Sequence, residues 1–133
     1  MGIEHAERAR ALVGTRFRPQ GRGMGGLDCV GVVLATYEIC PAEVRQNYRL
    51  RGARRVEVEQ SLSTFFRRIP RNVARPGDVM LFAVASDALH LAVRTATGFV
   101  HAHAGLRRVV ETPGEPAWPL LGIYRKRVRN RSN

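Results

Sequence analysis

The sequence predicts a single α+β domain in which N-terminal helices pack on a five- or six-stranded antiparallel sheet. Apolar residues recur at helical spacing in the first half of the chain, whereas the second half consists of short segments rich in β-forming residues. Helices followed by strands are typical of this class. The length of 133 residues and the hydrophobic content of 44% are those of one globular domain with its own core.

The first half of the chain carries the main predicted helices. An amphipathic helix over residues 3–13 leads into a glycine-rich loop over 14–26. A second helix over residues 29–40 is apolar almost all round, has Asp28 as its N-cap and ends before Pro41. Such a helix is expected in the middle of the domain.

A short helix over residues 41–48 and an exposed basic stretch over 49–55 are predicted next. Apolar residues at positions i, i+3, i+4 and i+7 then predict a helix over 58–69, after which the pattern changes to strands. The predicted strands are residues 78–84, 89–94, 98–103, 106–111 and 120–125. Residues 1–125 are therefore expected to form one domain, and residues 126–133 a basic C-terminal tail.

The chain is strongly basic, with a formal charge of +11, and of its 22 basic residues all but Lys126 are arginine. This charge accompanies a globular composition, which excludes wholesale disorder. No apolar run approaches the ~18 residues that cross a bilayer, so we expect no membrane span. Charged residues between positions 4 and 10 lie where a signal peptide would need its apolar stretch. We therefore expect synthesis in the cytoplasm without one.

Both cysteines are predicted to be free thiols. In a helix over residues 29–40 they would lie about 16 Å apart along the axis, whereas a disulfide requires Cα atoms within ~7 Å. Cys40 is assigned to the core.

Cys29 stands at the first turn of a buried helix, where free N–H groups favour a thiolate and could stabilise an oxyanion. Asp28 opposes ionisation of this thiol unless its carboxylate turns into a capping bond. A small buried hydrophobe is the alternative interpretation of Cys29.

Three of the four histidines fall in the predicted sheet. His90 alternates with two leucines and therefore faces away from them. If the strands at 89–94 and 98–103 form a hairpin, His90 and His101 lie side by side, an arrangement in which one imidazole acts as a base and the other orients it. His103 shares that face, and the sequence leaves open which of the two supports His90.

Three motifs together resemble a known family. GTRF at residues 14–17 and LDCVGVV at 27–33 resemble the GTxY…DCSGLV signature of the NlpC/P60 cysteine peptidases. RPGDV at 75–79 resembles the family's PGDL turn, and HLAV at 90–93 followed by GFVHA at 98–102 is similar to its HVGIY…GxFIHA pair. The likeness covers residues from about 14 to 124, with the motifs in the family's order.

The resemblance implies a papain-like NlpC/P60 fold and a Cys-His-His catalytic set without a metal or other cofactor. Cys29 would be the nucleophile, His90 the general base and acid, and His101 the residue that orients His90. The implied substrate is the amide between D-γ-glutamate and a diamino acid in peptidoglycan stem peptides. The expected substrate-binding residues are Phe17, Arg18, Asp28 and His103.

The chain also departs from the family pattern. Phe17 stands where the family usually has Tyr, so a hydroxyl is missing from the site, and Val30 replaces the Ser that follows the nucleophile. RPQG at residues 18–21 resembles the phage-tail and gene-transfer-agent branch of the family. We therefore expect a peptidase that is incorporated in a phage-like particle, acts in the periplasm and has tail proteins as partners.

Three other functions remain open. A nucleic-acid-binding module would explain the charge, although no helix-turn-helix or zinc-finger spacing is present. A zinc site could use Cys29, His90, His101 and His103, but no CxxC or HxxxH pair accompanies them. The third is a catalytically silent structural component of a tail-like particle. Arginines in the glycine-rich loop border Cys29 and are suited to carboxylates, which favours an acidic peptide polymer over nucleic acid as the partner.

Overall fold

The computed structural model describes residues 2–18, 21–23, 26–40, 55–85 and 88–127. In chain order they form α1 (Gly2–Arg10), β1 (Arg22–Gly23), β2 (Gly26–Leu27), α2 (Cys29–Thr36), α3 (Arg55–Phe65), β3 (Phe66–Ile69), β4 (Val79–Ala85), β5 (Ala88–Arg94), β6 (Gly98–His103), β7 (Arg108–Pro113) and β8 (Leu120–Lys126). The predicted helix at 41–48, most of the basic stretch at 49–55 and the tail from residue 128 onward lie outside the described residues. No helix within them is long and apolar enough to cross a membrane.

Six strands form one antiparallel sheet in the order β3-β8-β4-β5-β6-β7, and β1 and β2 form a separate two-stranded ribbon. Strands β4 to β7 pair with their neighbours in sequence, whereas β8 returns to lie between β3 and β4. Helix α2 packs against β5 and β6. Helices packed on a six-stranded antiparallel sheet confirm the predicted α+β fold class.

The sheet separates two apolar clusters. One, the helix-side cluster, joins α2 and α3 to alternate positions of the central strands, including Leu81, Leu91 and Val93. The other, the outer-face cluster, consists of Met80, Phe82, Ala92 and Phe99, with Val84, Trp118 and Leu120 packed against it. Successive residues of a strand point to opposite faces. His90 lies opposite Phe82 in the β4–β5 register and therefore belongs to the outer face.

Helix α2 begins as predicted but ends four residues early. Its N-cap is Asp28, which confirms the prediction. At the other end Glu38 has φ 56°, Ile39 N donates to Leu34 O at 2.9 Å, and Glu38 N donates to Ala35 O. This is a Schellman motif with Glu in the place usually taken by Gly, so the sequence carries no glycine to signal it.

The early end of α2 changes the position of Cys40. The predicted helix over 29–40 places this residue in the core, but the chain has left the helix by then and Cys40 is exposed. The prediction for Cys40 was therefore wrong. Neither Cys29 nor Cys40 forms a disulfide within the described residues, as predicted.

The bounds of the other two helices also differ from the prediction. The first ends at Arg10 rather than at residue 13, because the following segment pairs with β7: Gly14 N donates to Val109 O and Val109 N donates to Thr15 O. The predicted helix over 58–69 is α3 followed by β3. The apolar spacing that predicted a helix is also compatible with the strand. In β3, which pairs with β8, Phe66 still packs in the helix-side cluster.

Candidate active site

Cys29 is the first residue of α2, directly after the two-stranded ribbon. Its side chain is half-buried and packs against the helix-side cluster. Gly31 makes this junction possible, since a Cβ at that position would collide with the carbonyl oxygen of Gly21. Asp28 N donates to the same oxygen. The glycine-rich loop is thus held against the first turn of the helix.

The electrostatics at the start of α2 depend on the Asp28 carboxylate. Its Oδ1 accepts a hydrogen bond from Gly31 N at 2.7 Å, so the charge is engaged in capping the helix. The sequence led us to expect a thiolate at Cys29 only with Asp28 in such a capping bond, and this bond is present. The helix terminus itself favours a negative charge on the sulfur, through its N–H groups and the macrodipole.

His90 on β5 and His101 on β6 are in direct contact. His90 Nε2 lies 2.8 Å from His101 Nδ1, with the ring planes at 81°. The predicted side-by-side arrangement of these two rings is therefore present. His103 makes a different contact, because its Nδ1 accepts a hydrogen bond from Leu106 N at 3.1 Å. Of the two histidines left open by the sequence, His101 is the one that contacts His90.

Both rings of this pair are uncharged at neutral pH. Burial, together with the neighbouring histidines His101 and His103, lowers the pKa of His90 to about 3. Burial and His103 lower the pKa of His101 to about 4. A neutral imidazole keeps a lone pair on one nitrogen, which is the atom at which His90 would accept a proton.

Two residues that the sequence did not single out complete the surroundings of the pair. The ring of Trp118 lies 5.6 Å from that of His90 and 5.9 Å from that of His101, centre to centre. Thr112 Oγ1 lies 3.0 Å from His101 Nε2. Trp118 is the only tryptophan of the chain, which is the one signal that could have drawn attention to it. Nothing in the sequence pattern marks Thr112.

A cavity of about 240 Å³ opens beside the histidines. Its described lining consists of Val84, His90, His101, Ala102, His103, Ala104, Gly105 and Trp118. Cys29 is not part of that lining: it packs against the helix-side cluster, whereas the histidines belong to the outer face of the same strands. The approach of the Cys29 thiol to His90 therefore belongs to the proposal below.

The other predicted substrate-binding residues lie near the start of α2. Phe17 is half-buried against the helix-side cluster, and its main chain forms a bridge to Leu27. Arg18 is exposed and its backbone N donates to Leu27 O at 3.2 Å. These contacts bring both residues within the segment that leads into Cys29. Their contact with a substrate remains a prediction.

No family model matches the chain. A curated relative, murein DD-endopeptidase MepS/murein LD-carboxypeptidase of Escherichia coli strain K12, is 28% identical over 120 residues. These residues make up 90% of this chain and 58% of the relative. The chain thus spans a little over half the length of the curated relatives it matches.

Solved structures share the architecture over almost the whole chain. NlpC1 from Trichomonas vaginalis matches with a TM-score of 0.69 and 18% identity, covering 94% of this chain and 45% of that protein. RipD from Mycobacterium tuberculosis, described as a non-catalytic NlpC/p60 domain protein adapted to a peptidoglycan-binding function, matches with a TM-score of 0.59 and 16% identity, covering 96% and 97% of the two chains. The chain therefore has the NlpC/P60 fold.

Proposed function

We propose that this chain is a peptidoglycan hydrolase of the NlpC/P60 type, a cysteine endopeptidase that cleaves an amide bond in stem peptides. The observation that carries the proposal is the His90–His101 pair, in contact at 2.8 Å on strands against which the Cys29 helix packs. In this proposal residues 1–125 form the catalytic domain, and the basic segment from residue 126, which starts at the last residue of β8, is a tail.

The proposed reaction begins with a proton transfer. Because His90 Nε2 is engaged by His101, Nδ1 is the nitrogen that would take the proton of the Cys29 thiol. The thiolate attacks the amide carbonyl, and N–H groups at the start of α2 stabilise the resulting oxyanion. His90 then gives the proton to the leaving amine, and water hydrolyses the acyl-enzyme to restore the thiol.

The proposed substrate is the amide between D-γ-glutamate and a diamino acid. Support for this bond comes from the motifs around Cys29 and His90. The curated relative is named as a murein DD-endopeptidase, which supports murein as the material but not this particular bond. Exposed Arg16 and Arg18, just before the α2 segment, have guanidinium groups suited to the free carboxylates of a stem peptide. The resemblance of residues 18–21 to the phage-tail branch extends the proposal to delivery by a phage-like particle.

A second candidate is a peptidoglycan-binding module without activity. The likeness to RipD, which covers nearly the whole of both chains, favours it. The two candidates share a ligand and differ in turnover. Within the described residues, no three side chains of His, Cys, Asp or Glu converge on a possible metal position.

Digestion of purified peptidoglycan distinguishes these candidates. We expect the wild-type chain to release soluble muropeptides, and mass spectra of the fragments to show cleavage after D-γ-glutamate. His90→Ala is expected to bind the same material, as measured by co-sedimentation, without releasing fragments. Binding by the wild-type chain with no release would favour the binding module and contradict the hydrolase.

A further inference from the structure

Thr112 ends a line of hydrogen bonds that begins at His90. His90 Nε2 lies 2.8 Å from His101 Nδ1, and His101 Nε2 lies 3.0 Å from Thr112 Oγ1. In the β6–β7 register Thr112 stands opposite Phe99, so it is diagonal to His101 on the outer face. Since His101 is only 2% exposed, the threonine hydroxyl takes the place of water at its second nitrogen.

This line allows two proton arrangements. A neutral imidazole carries one N–H. In the first arrangement, His90 donates from Nε2 to His101 Nδ1, and His101 donates from Nε2 to Thr112. In the second, the hydroxyl of Thr112 donates to His101 Nε2, and His101 donates from Nδ1 to His90 Nε2, so the proton of His90 is on Nδ1. Only the first leaves a lone pair on Nδ1 of His90, the nitrogen that would take the proton of the Cys29 thiol in the proposed reaction.

We infer that Thr112 is a positioning residue that accepts a hydrogen bond from His101 Nε2–H and so holds His101 in the tautomer that accepts from His90. The hydrogen bond at one imidazole nitrogen sets the protonation of the other. The same tautomer serves the next step: once His90 carries a second proton, its Nε2–H still meets a lone pair on His101. In the reverse tautomer, two N–H groups would oppose each other.

The choice between the two arrangements rests on the proposed function, but the tautomer is a property of the resting protein and is measured without substrate. Long-range ¹H–¹⁵N spectra of the labelled full chain distinguish Nε2–H from Nδ1–H histidines. We expect His101 to be in the Nε2–H form in the wild type and in Thr112→Ser, which keeps the hydroxyl. In Thr112→Val, which has the same shape without it, we expect the Nδ1–H form to appear.

Activity on peptidoglycan gives the second readout. We expect Thr112→Val to lower kcat by about 10- to 100-fold with little change in KM, because it leaves a buried nitrogen unpaired and favours the wrong tautomer. Thr112→Ser should stay within about threefold of the wild type. Thr95→Val is the matched control, because it removes a 2.7 Å hydrogen bond to Glu111 in the same part of the sheet and should leave the His101 spectrum unchanged.

The spectra decide the inference even if peptidoglycan proves not to be the substrate. An Nδ1–H form of His101 in the wild-type spectrum would overturn it, and this result needs no variant to fold. An unchanged Nε2–H form in a folded Thr112→Val protein would overturn it as well. Absence of hydrolysis by the wild type, with the expected spectra, would contradict the proposed function and leave the role of Thr112 in place.

Discussion

Burial keeps the side chains of His90 and His101 uncharged, and this makes the folded state sensitive to acid. Their pKa values in the fold, about 3 and about 4, lie below the ordinary value of 6.5. Between about pH 3 and pH 6.5 the unfolded chain binds more protons than the folded one, so the free energy of unfolding rises with pH. The contribution is complete above pH 6.5 and is lost as the pH falls towards 3.

We therefore expect the melting temperature to decrease from pH 7.5 to pH 5, a range in which carboxylates of the unfolded chain remain largely ionised. A variant with both His90→Gln and His101→Gln should show a much flatter dependence over this range, because Gln does not titrate. Thermal melts followed by circular dichroism at several pH values measure both slopes. Equal slopes in the two proteins would contradict the assigned neutrality of the pair.

The sequence predicted the histidine pair, but not all of its surroundings. Strand alternation was enough to place His90 away from its neighbouring leucines, and a hairpin brings His101 beside it. The contact of Thr112 with His101 is diagonal between strands, so it depends on a register that the sequence does not state. Trp118 reaches the rings from the segment before β8, and no periodicity predicts such a contact.

At the scale of secondary-structure elements, the end of α2 carries strain that a substitution can remove. Glu38 occupies a left-handed conformation with φ 56°, which costs about 1–2 kcal/mol for a residue with a Cβ. Glu38→Gly is expected to raise the free energy of unfolding by about 0.5–1 kcal/mol, after allowance for the greater flexibility of unfolded glycine. Urea denaturation measures the change.

Glu38→Ala is the matched control for this prediction. It removes the same exposed ion pair with Arg8, at 3.7 Å, but retains the Cβ and hence the strain. We expect no gain in stability from it. A gain equal to that of Glu38→Gly would show that the lost carboxylate, and not the left-handed backbone, is responsible.

The elements differ in how far the sequence could predict them. The β-hairpins have turn residues between alternating segments, and their positions were predicted to within a few residues. β3 was interpreted as helix, because Leu62, Phe65, Phe66 and Ile69 fit a helical period. Its strand form depends on pairing with β8, which lies more than 50 residues later. The local spacing of apolar residues gives no information on this pairing between distant segments.

At the scale of the whole molecule, one buried ion pair joins distant parts of the chain. Asp78, at the start of β4, is 2% exposed and receives two hydrogen bonds of 2.9 Å from the Arg125 guanidinium of β8. Arg125 also donates to Val73 O, and Arg75 N donates to Asp78. The pair thus connects the centre of the sheet to the turn that precedes it.

Arg125→Met is expected to destabilise the fold by about 3 kcal/mol, because it leaves the Asp78 carboxylate buried without its partner. Arg67 stands opposite Arg125 in the β3–β8 register and is exposed. Arg67→Met should therefore change stability by no more than about 0.5 kcal/mol. Chemical denaturation of both variants checks the difference. Similar losses in the two would show that the Asp78 pair has no special role.

We propose Cys29 as the nucleophile of a peptidoglycan hydrolase, and the chain supplies its own control in Cys40. Neither forms a disulfide within the described residues, but Cys29 begins α2 whereas Cys40 lies exposed beyond its end. The most direct measurement is the rate at which soluble muropeptides are released from purified peptidoglycan by Cys29→Ala and by Cys40→Ala. We expect no release above background by Cys29→Ala and a wild-type rate for Cys40→Ala. Release by Cys29→Ala at the wild-type rate would contradict the proposal.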